Sequence, residues 1–260
     1  MDVDLRKLRY FVAVARQLHY GRAAAELHIA QPVLSRQIRA LEDELHAQLF
    51  RRDRRSTELT DAGRRLLEDA VPLLAAAQAM QRRVARKFVV AFMPGLIVTD
   101  AVRRLRERQL EVEVLRTSWH DQAEVLRDGR ADVSFVRLPI DEQGLAVRLL
   151  HSEPRVVVLP AGHRLAGKES VAMADLHGER LLQDPSAVPE WRGEATPVPA
   201  LAVEEKLENV AAGRGIVVLP LSTATYYTRS DVIWARIGDI PDGQVAVARV
   251  AGRPDPLADY

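Results

Sequence analysis

The sequence predicts an α/β protein: a basic, all-helical front segment, then a longer acidic segment in which strands and helices alternate. Three observations carry this expectation. From Leu5 to Leu45, apolar residues recur at the three- and four-residue spacing of helices. After Lys87, short apolar runs such as Phe88–Phe92 and Val133–Val136 alternate with helical stretches. Charge divides between the two parts: residues 1–87 hold 17 Lys/Arg against 11 Asp/Glu, net +6, and the remainder holds 20 against 25, net −5, within a total of +1. A basic front beside an acidic remainder suggests that only the front meets a polyanion.

At 260 residues the chain fits two domains, and its 47% hydrophobic and 28% charged content is ordinary for a globular protein. No apolar run approaches the roughly 20 residues that span a bilayer, and charge begins at Asp2, so neither membrane insertion nor secretion is expected. The absence of Cys excludes disulfides and a thiol switch, and it fits a reducing cytoplasm.

In chain order, Leu5, Leu8, Phe11, Val12 and Ala15 predict a first amphipathic helix. Gly21-Arg22 opens a second, in which three consecutive Ala allow close approach of a crossing helix. Pro32 marks the start of a third, because the first turn of a helix has no use for the missing amide. There Leu34, Ile38, Leu41 and Leu45 form one stripe, while Pro32, Arg36 and Arg39 point the other way. Such a helix anchors in a core while offering Arg36 and Arg39 to a groove lined with phosphates and base edges. Arg51, Arg52, Arg54 and Arg55 cluster around a turn suited to phosphate clamping. Thr60 reads as the N-cap of a long helix in which Leu66, Ala70, Leu73, Ala77, Met80 and Val84 have the alternating spacing of a dimerising coiled-coil seam, with packing inside one chain as the alternative for so short a run, and Pro72 is expected to bend the helix or break one hydrogen bond.

Beyond Lys87, strands are expected at Phe88–Phe92, Val112–Leu115, Val133–Val136, Arg155–Leu159, Ile216–Leu219, Trp234–Ile237 and Val245–Val250. Helices are expected at Thr99–Gln109, Asp121–Asp128 and Glu204–Ala212, with Gly129 and Gly213 ending the last two. This alternation predicts parallel sheets with helices on their faces, and the Pro-rich stretch Pro185–Pro199 reads as loop.

The first 65 or so residues closely resemble the DNA-binding domain of LysR-type transcriptional regulators. Leu5-Arg6-Lys7-Leu8-Arg9-Tyr10-Phe11, Arg22-Ala23-Ala24, Gln31-Pro32-Val33-Leu34-Ser35, Leu49-Phe50-Arg51-Arg52 and Leu59-Thr60-Asp61-Ala62-Gly63 carry the resemblance. It implies a winged helix-turn-helix (residues 1–60) and a linker or dimerisation helix (61–87). Gln31, Pro32, Val33, Ser35 and Arg36 would then face the major groove, with Arg22 and Arg39 beside them and Arg51–Arg55 as the wing. Two departures stand out: Ala30 replaces a usual capping Ser or Thr, and His46 replaces a common Gly. Residues 88–260 resemble the family's effector domain through Leu126–Val133, Pro160–Ala166 and Val210–Pro220. That implies two Rossmann-like lobes of periplasmic-binding-protein type, at about 88–140 with 226–260 and about 145–225, the second shortened between Leu182 and Val210, and a final helix absent after Val250.

Loops after parallel strands gather at the cleft of such a domain. They nominate Met93, Gly95, Thr117, Ser118 and Arg137 for a carboxylate-bearing effector, which Arg binds bidentately. Ser118, His120 and Asp121 lie in one segment and lack the spatial roles of a catalytic triad, and the seven His show no metal-ligand spacing. No enzyme activity, cofactor or metal is expected. The expected function is sequence-specific binding of a dyad-symmetric duplex by a homodimer or tetramer under small-molecule control, with RNA polymerase as a further partner. Two alternatives stand beside it: a ligand-independent regulator whose trimmed second domain only supports assembly, and a solute-binding or enzymatic domain with an incidental basic front.

Overall fold

The computed structural model describes residues 4–52, 57–195 and 202–260. Two compact units are distinguished: Met1–Ala85 with Arg127–Arg130, and Arg86–Leu126 with Ala131–Tyr260.

The first unit opens with α1 (Leu5–Gln17), whose first turn is capped by Asp4 accepting from the Arg6 amide at 2.8 Å. α2 (Tyr20–Glu26) is capped by the ring of His19, and α3 (Gln31–Glu44) begins at Ala30 with no side-chain cap. The turn between α2 and α3 closes without glycine. His28 takes φ +53°, and the Ile29 amide reaches back to the Ala24 carbonyl at 3.0 Å. α3 ends the same way at His46, with φ +49° and the Ala47 amide on the Glu42 carbonyl at 3.0 Å. A side chain in that left-handed well costs about 1 kcal/mol that glycine avoids. We expect His46→Gly to stabilise the first unit by about 1 kcal/mol, read as a higher urea midpoint; an unchanged midpoint contradicts this.

Leu8, Phe11, Val14, Leu34 and Ile38 are buried in one core, which Phe50 joins with its ring 5.4 Å from Phe11 and 5.9 Å from Tyr20. β1 (Phe50–Arg52) pairs antiparallel with β2 (Thr57–Leu59), while residues 53–56 lie outside the described residues. Glu42 on α3 accepts from the amides of Leu49 and Phe50 at 2.9 and 3.2 Å, so α3 fixes where the hairpin begins.

α4 (Asp61–Val84) starts at Thr60, whose hydroxyl accepts from Gly63 N at 3.0 Å and donates to the Gln48 carbonyl at 2.6 Å. A Cβ on Gly63 would stand 2.2 Å from the Leu49 carbonyl oxygen, so the absence of a side chain lets α4 cross the chain entering β1. The helix runs on through Pro72. Along its expected dimer seam, Ala70 is 1% exposed and Leu66 packs on the same core, because α1 lies against that face. This corrects the seam at both positions: they serve the core of their own chain. Leu73, Met80 and Val84 remain 47%, 54% and 82% exposed, and Ala77 is half-buried.

The second unit contains β3 (Lys87–Phe92), α5 (Thr99–Glu107), β4 (Glu111–Arg116), the short α6 (Glu124–Arg127), β5 (Val133–Arg137) and β6 (Leu145–Glu153). β7 (Arg155–Pro160), β8 (Ser170–Val171), α7 (Val203–Ala211), β9 (Val217–Pro220), α8 (Leu221–Tyr226), β10 (Val232–Ile237) and β11 (Gly243–Val250) follow. They build two lobes, with sheet orders β4-β3-β5-β11-β6 and β8-β10-β7-β9. The parallel-sheet expectation is corrected. β3 runs parallel to β4 and β5, and β8 to β10, but β11 is antiparallel to β5 and β6, and β7 is antiparallel to β9 and β10. Each antiparallel pair joins strands far apart in the chain, β11 returning to β5 and β6, and β9 and β10 returning to β7, so the alternation of elements along the sequence does not reveal their direction.

A second correction concerns the late strands. β10, expected in the first lobe, pairs with β7 in the second, and β11 alone returns. Between Leu182 and Val203 the described residues supply a 3-10 turn at Pro185–Ala187 and a bridge from Leu181 to Ala195, without a strand. Past Val250 the chain forms turns in which Leu257 is buried and the Tyr260 ring stands edge-on to Phe135 at 5.4 Å. Among the described residues no helix is long and apolar enough to cross a membrane.

Candidate functional site

In the first unit α3 presents two unlike faces. Leu34, Ile38 and Leu41 are buried, whereas Gln31, Pro32, Arg36 and Arg39 are exposed and Val33 and Ser35 half-exposed. Among the described residues neither Arg36 nor Arg39 has a hydrogen-bond or ion-pair partner, so both guanidinium groups are available to an incoming anion. Arg22 is exposed but already donates to the Gln17 carbonyl at 2.8 Å, closing the end of α1. Arg51 is exposed on β1. Arg54 and Arg55 lie outside the described residues, as does the side chain of Arg52.

The second unit contains a cleft of about 690 Å³ between its two lobes. Met93, Thr117, Ser118 and Arg137 line it, but Gly95 does not. Gly95 has φ +84° and lies against α8, where a Cβ would come within 2.6 Å of Thr223 Cα. That close backbone crossing, rather than a ligand, explains the glycine.

Arg137 also departs from expectation, because each of its three guanidinium nitrogens already has a partner within the chain. Nε donates to Glu153 Oε1 at 3.0 Å, Nη1 to the Pro94 carbonyl at 2.9 Å and Nη2 to Ser222 Oγ at 2.9 Å. The other carboxylate oxygen of Glu153 accepts from the Ser222 amide at 3.1 Å. Arg137 and Glu153 are 5% and 7% exposed. Burial pushes the guanidinium below the ordinary arginine range, and Glu153 opposes that shift. The pair therefore ties β5, β6, the loop after β3 and α8 together at the cleft, and the Arg137 charge is answered within the chain by Glu153. This corrects its expected role as the carboxylate clamp.

Thr117 is 4% exposed, lines the cleft, and its hydroxyl has no hydrogen-bond partner. Ser118 is less available: both its amide and its hydroxyl meet Asp121 Oδ1, at 2.6 and 2.7 Å, which closes a turn rather than assembling a triad. Among the described residues no group of three or more His, Asp or Glu could hold a metal ion.

Comparison with known proteins gives these two sites a common setting. Residues 5–64 match the family model described as bacterial regulatory helix-turn-helix protein, lysR family, and residues 81–259 match the LysR substrate binding domain. The chain belongs to the LysR family of transcriptional regulators. It is 32% identical over 270 residues to the Hca operon transcriptional activator HcaR of Escherichia coli (strain K12), covering 98% of this chain and 90% of that protein. It is 33% identical over 277 residues to the probable cat1 operon transcriptional activator of Acinetobacter lwoffii, covering 96% and 90%. The crystal structure of CbnR, a LysR family transcriptional regulator, superposes with a TM-score of 0.65 at 25% identity, covering 98% of this chain and 96% of that one.

Several groups in this LysR-family chain escaped sequence reasoning. Gln183 is buried, lines the cleft and accepts from the Val218 amide at 2.9 Å through its carbonyl oxygen. Arg155 and Glu190 pair at 2.6 Å on the cleft wall. Lys206, near the start of α7, also lines the cleft, and burial lowers its ammonium pKa while Asp184 partly restores it. One signal could have found Lys206: a cation in the first turns of a helix opposes the macrodipole, so it calls for another reason to be there.

Proposed function

We propose that this chain is a cytoplasmic, homo-oligomeric regulator that inserts α3 into the major groove of a dyad-symmetric promoter site and answers to a small, carboxylate-bearing effector held in its second unit. One observation carries the DNA reading: Arg36 and Arg39 project, unpaired, from the side of α3 opposite its buried stripe. The exposed Leu73, Met80 and Val84 on α4 supply an apolar seam for a second copy, and pairing two copies would place two reading helices on successive turns of DNA. A tetramer would arise by association of two dimers through their effector domains. Effector binding would then bias the geometry of the assembly and hence the DNA bend seen by RNA polymerase. The unpartnered hydroxyl of Thr117 in the cleft favours a ligand-responsive regulator over one whose second unit only supports assembly.

Fluorescence anisotropy at fixed salt tests this reading, using the duplex upstream of the chain's own gene against an unrelated duplex of equal length. Binding at least about a thousandfold tighter to the first is expected. Equal affinities would contradict it.

A further inference from the structure

Among the described residues on the cleft wall, all but one of the permanently charged side chains already have a partner within the chain. Arg137 meets Glu153 at 3.0 Å, Arg155 meets Glu190 at 2.6 Å, and Arg116 meets Glu204 at 3.3 Å. Asp242 meets Arg236 at 3.5 Å, and Asp121 holds the Ser118 turn. Lys206 is the exception. Among the described residues its ammonium makes no hydrogen bond or ion pair, and Asp184 acts on it only from beyond ion-pair distance. Lys206 stands in the first turns of α7, where the dipole's positive end is offset by Glu204 and Glu205, neither of which pairs with it. The cleft also presents the buried, unpartnered Thr117 hydroxyl and apolar wall from Met93, Leu138 and Val203.

We propose that the cleft selects a singly charged organic anion with an apolar body, whose acid group pairs with Lys206 while Thr117 supplies a hydrogen bond. This rests on the ligand-cleft reading above and adds to it the count of charges and the residue that reads them. A second carboxylate on the ligand would enter a wall whose other cations are already paired, and it would lose its hydration without gaining a partner. A neutral isostere would leave the ammonium desolvated and unpaired.

The test is isothermal titration of the full chain with matched sets on two six-carbon frames: hexanoate, hexanamide and hexanedioate, and cyclohexanecarboxylate with its amide and its 1,4-diacid. Wild type is expected to bind a monoacid about tenfold or more tighter than its amide or diacid. Lys206→Met is expected to abolish that preference, Lys206→Arg to keep it, and both variants to retain the wild-type melting temperature. An unchanged preference in Lys206→Met, or a diacid that binds best, overturns the charge assignment while leaving the ligand cleft standing. Failure of all six compounds to bind overturns both.

Discussion

Replacing Arg36 and Arg39 together by Ala is expected to weaken specific duplex binding by about a hundredfold or more, since each bidentate contact to a base edge contributes about 1–3 kcal/mol. Both side chains are exposed and lack partners among the described residues, so the variant should keep the wild-type circular dichroism and urea midpoint. The two single variants separate base reading from phosphate clamping. An arginine on a base edge relaxes specificity when lost, whereas one on a phosphate lowers affinity for all sequences alike and reduces the salt slope by about one. Anisotropy titrations over a range of salt concentrations read both quantities. Wild-type affinity in the double variant would remove α3 from the groove.

The second large effect lies in the other unit. Arg137→Met leaves Glu153 buried with its charge unanswered, together with the Pro94 carbonyl and the Ser222 hydroxyl. A loss of about 3–5 kcal/mol is expected in urea unfolding followed by tryptophan fluorescence. Arg137→Lys should recover little, because an ammonium cannot reproduce a planar fork reaching three partners. Adding Glu153→Gln to Arg137→Met should return part of the stability by removing the stranded charge. A stable Arg137→Met variant that fails only to bind ligand would restore Arg137 to the role of effector clamp.

These two sites differ in how far the sequence revealed them. α3 was legible because a helix advertises its two faces through spacing: Leu34, Ile38 and Leu41 went inward, and Arg36 and Arg39 outward. The cap at Thr60 was legible from the hydroxyl standing just before Asp61, and His46 from the resemblance, as a departure from a common Gly. The cleft depends on contacts between residues far apart in the chain. Nothing near Arg137 announces that Glu153, Pro94 and Ser222 will consume its guanidinium, so a loop arginine read as a ligand clamp became a structural tie. β6 was missed because Leu145–Glu153 is a half-buried strand with a mixed pattern, and β10 was misplaced because strand order is set by pairing, not by proximity in sequence. The α4 seam was corrected at Leu66 and Ala70 for a related reason. Helical spacing identified an apolar stripe, but it could not say that α1 would cover Ala70 and leave Leu73, Met80 and Val84 open.

Dimethyl sulfate protection on the upstream duplex tests the groove-reading role of α3 most directly, because the reagent methylates guanine N7 on the major-groove edge that Arg contacts. Wild type should protect guanines in two half-sites one or more whole helical turns apart, and the Arg36→Ala, Arg39→Ala variant should lose that protection at concentrations where residual complex persists. Protection retained unchanged in the variant, or absent from the major groove of the wild-type complex, would contradict the account.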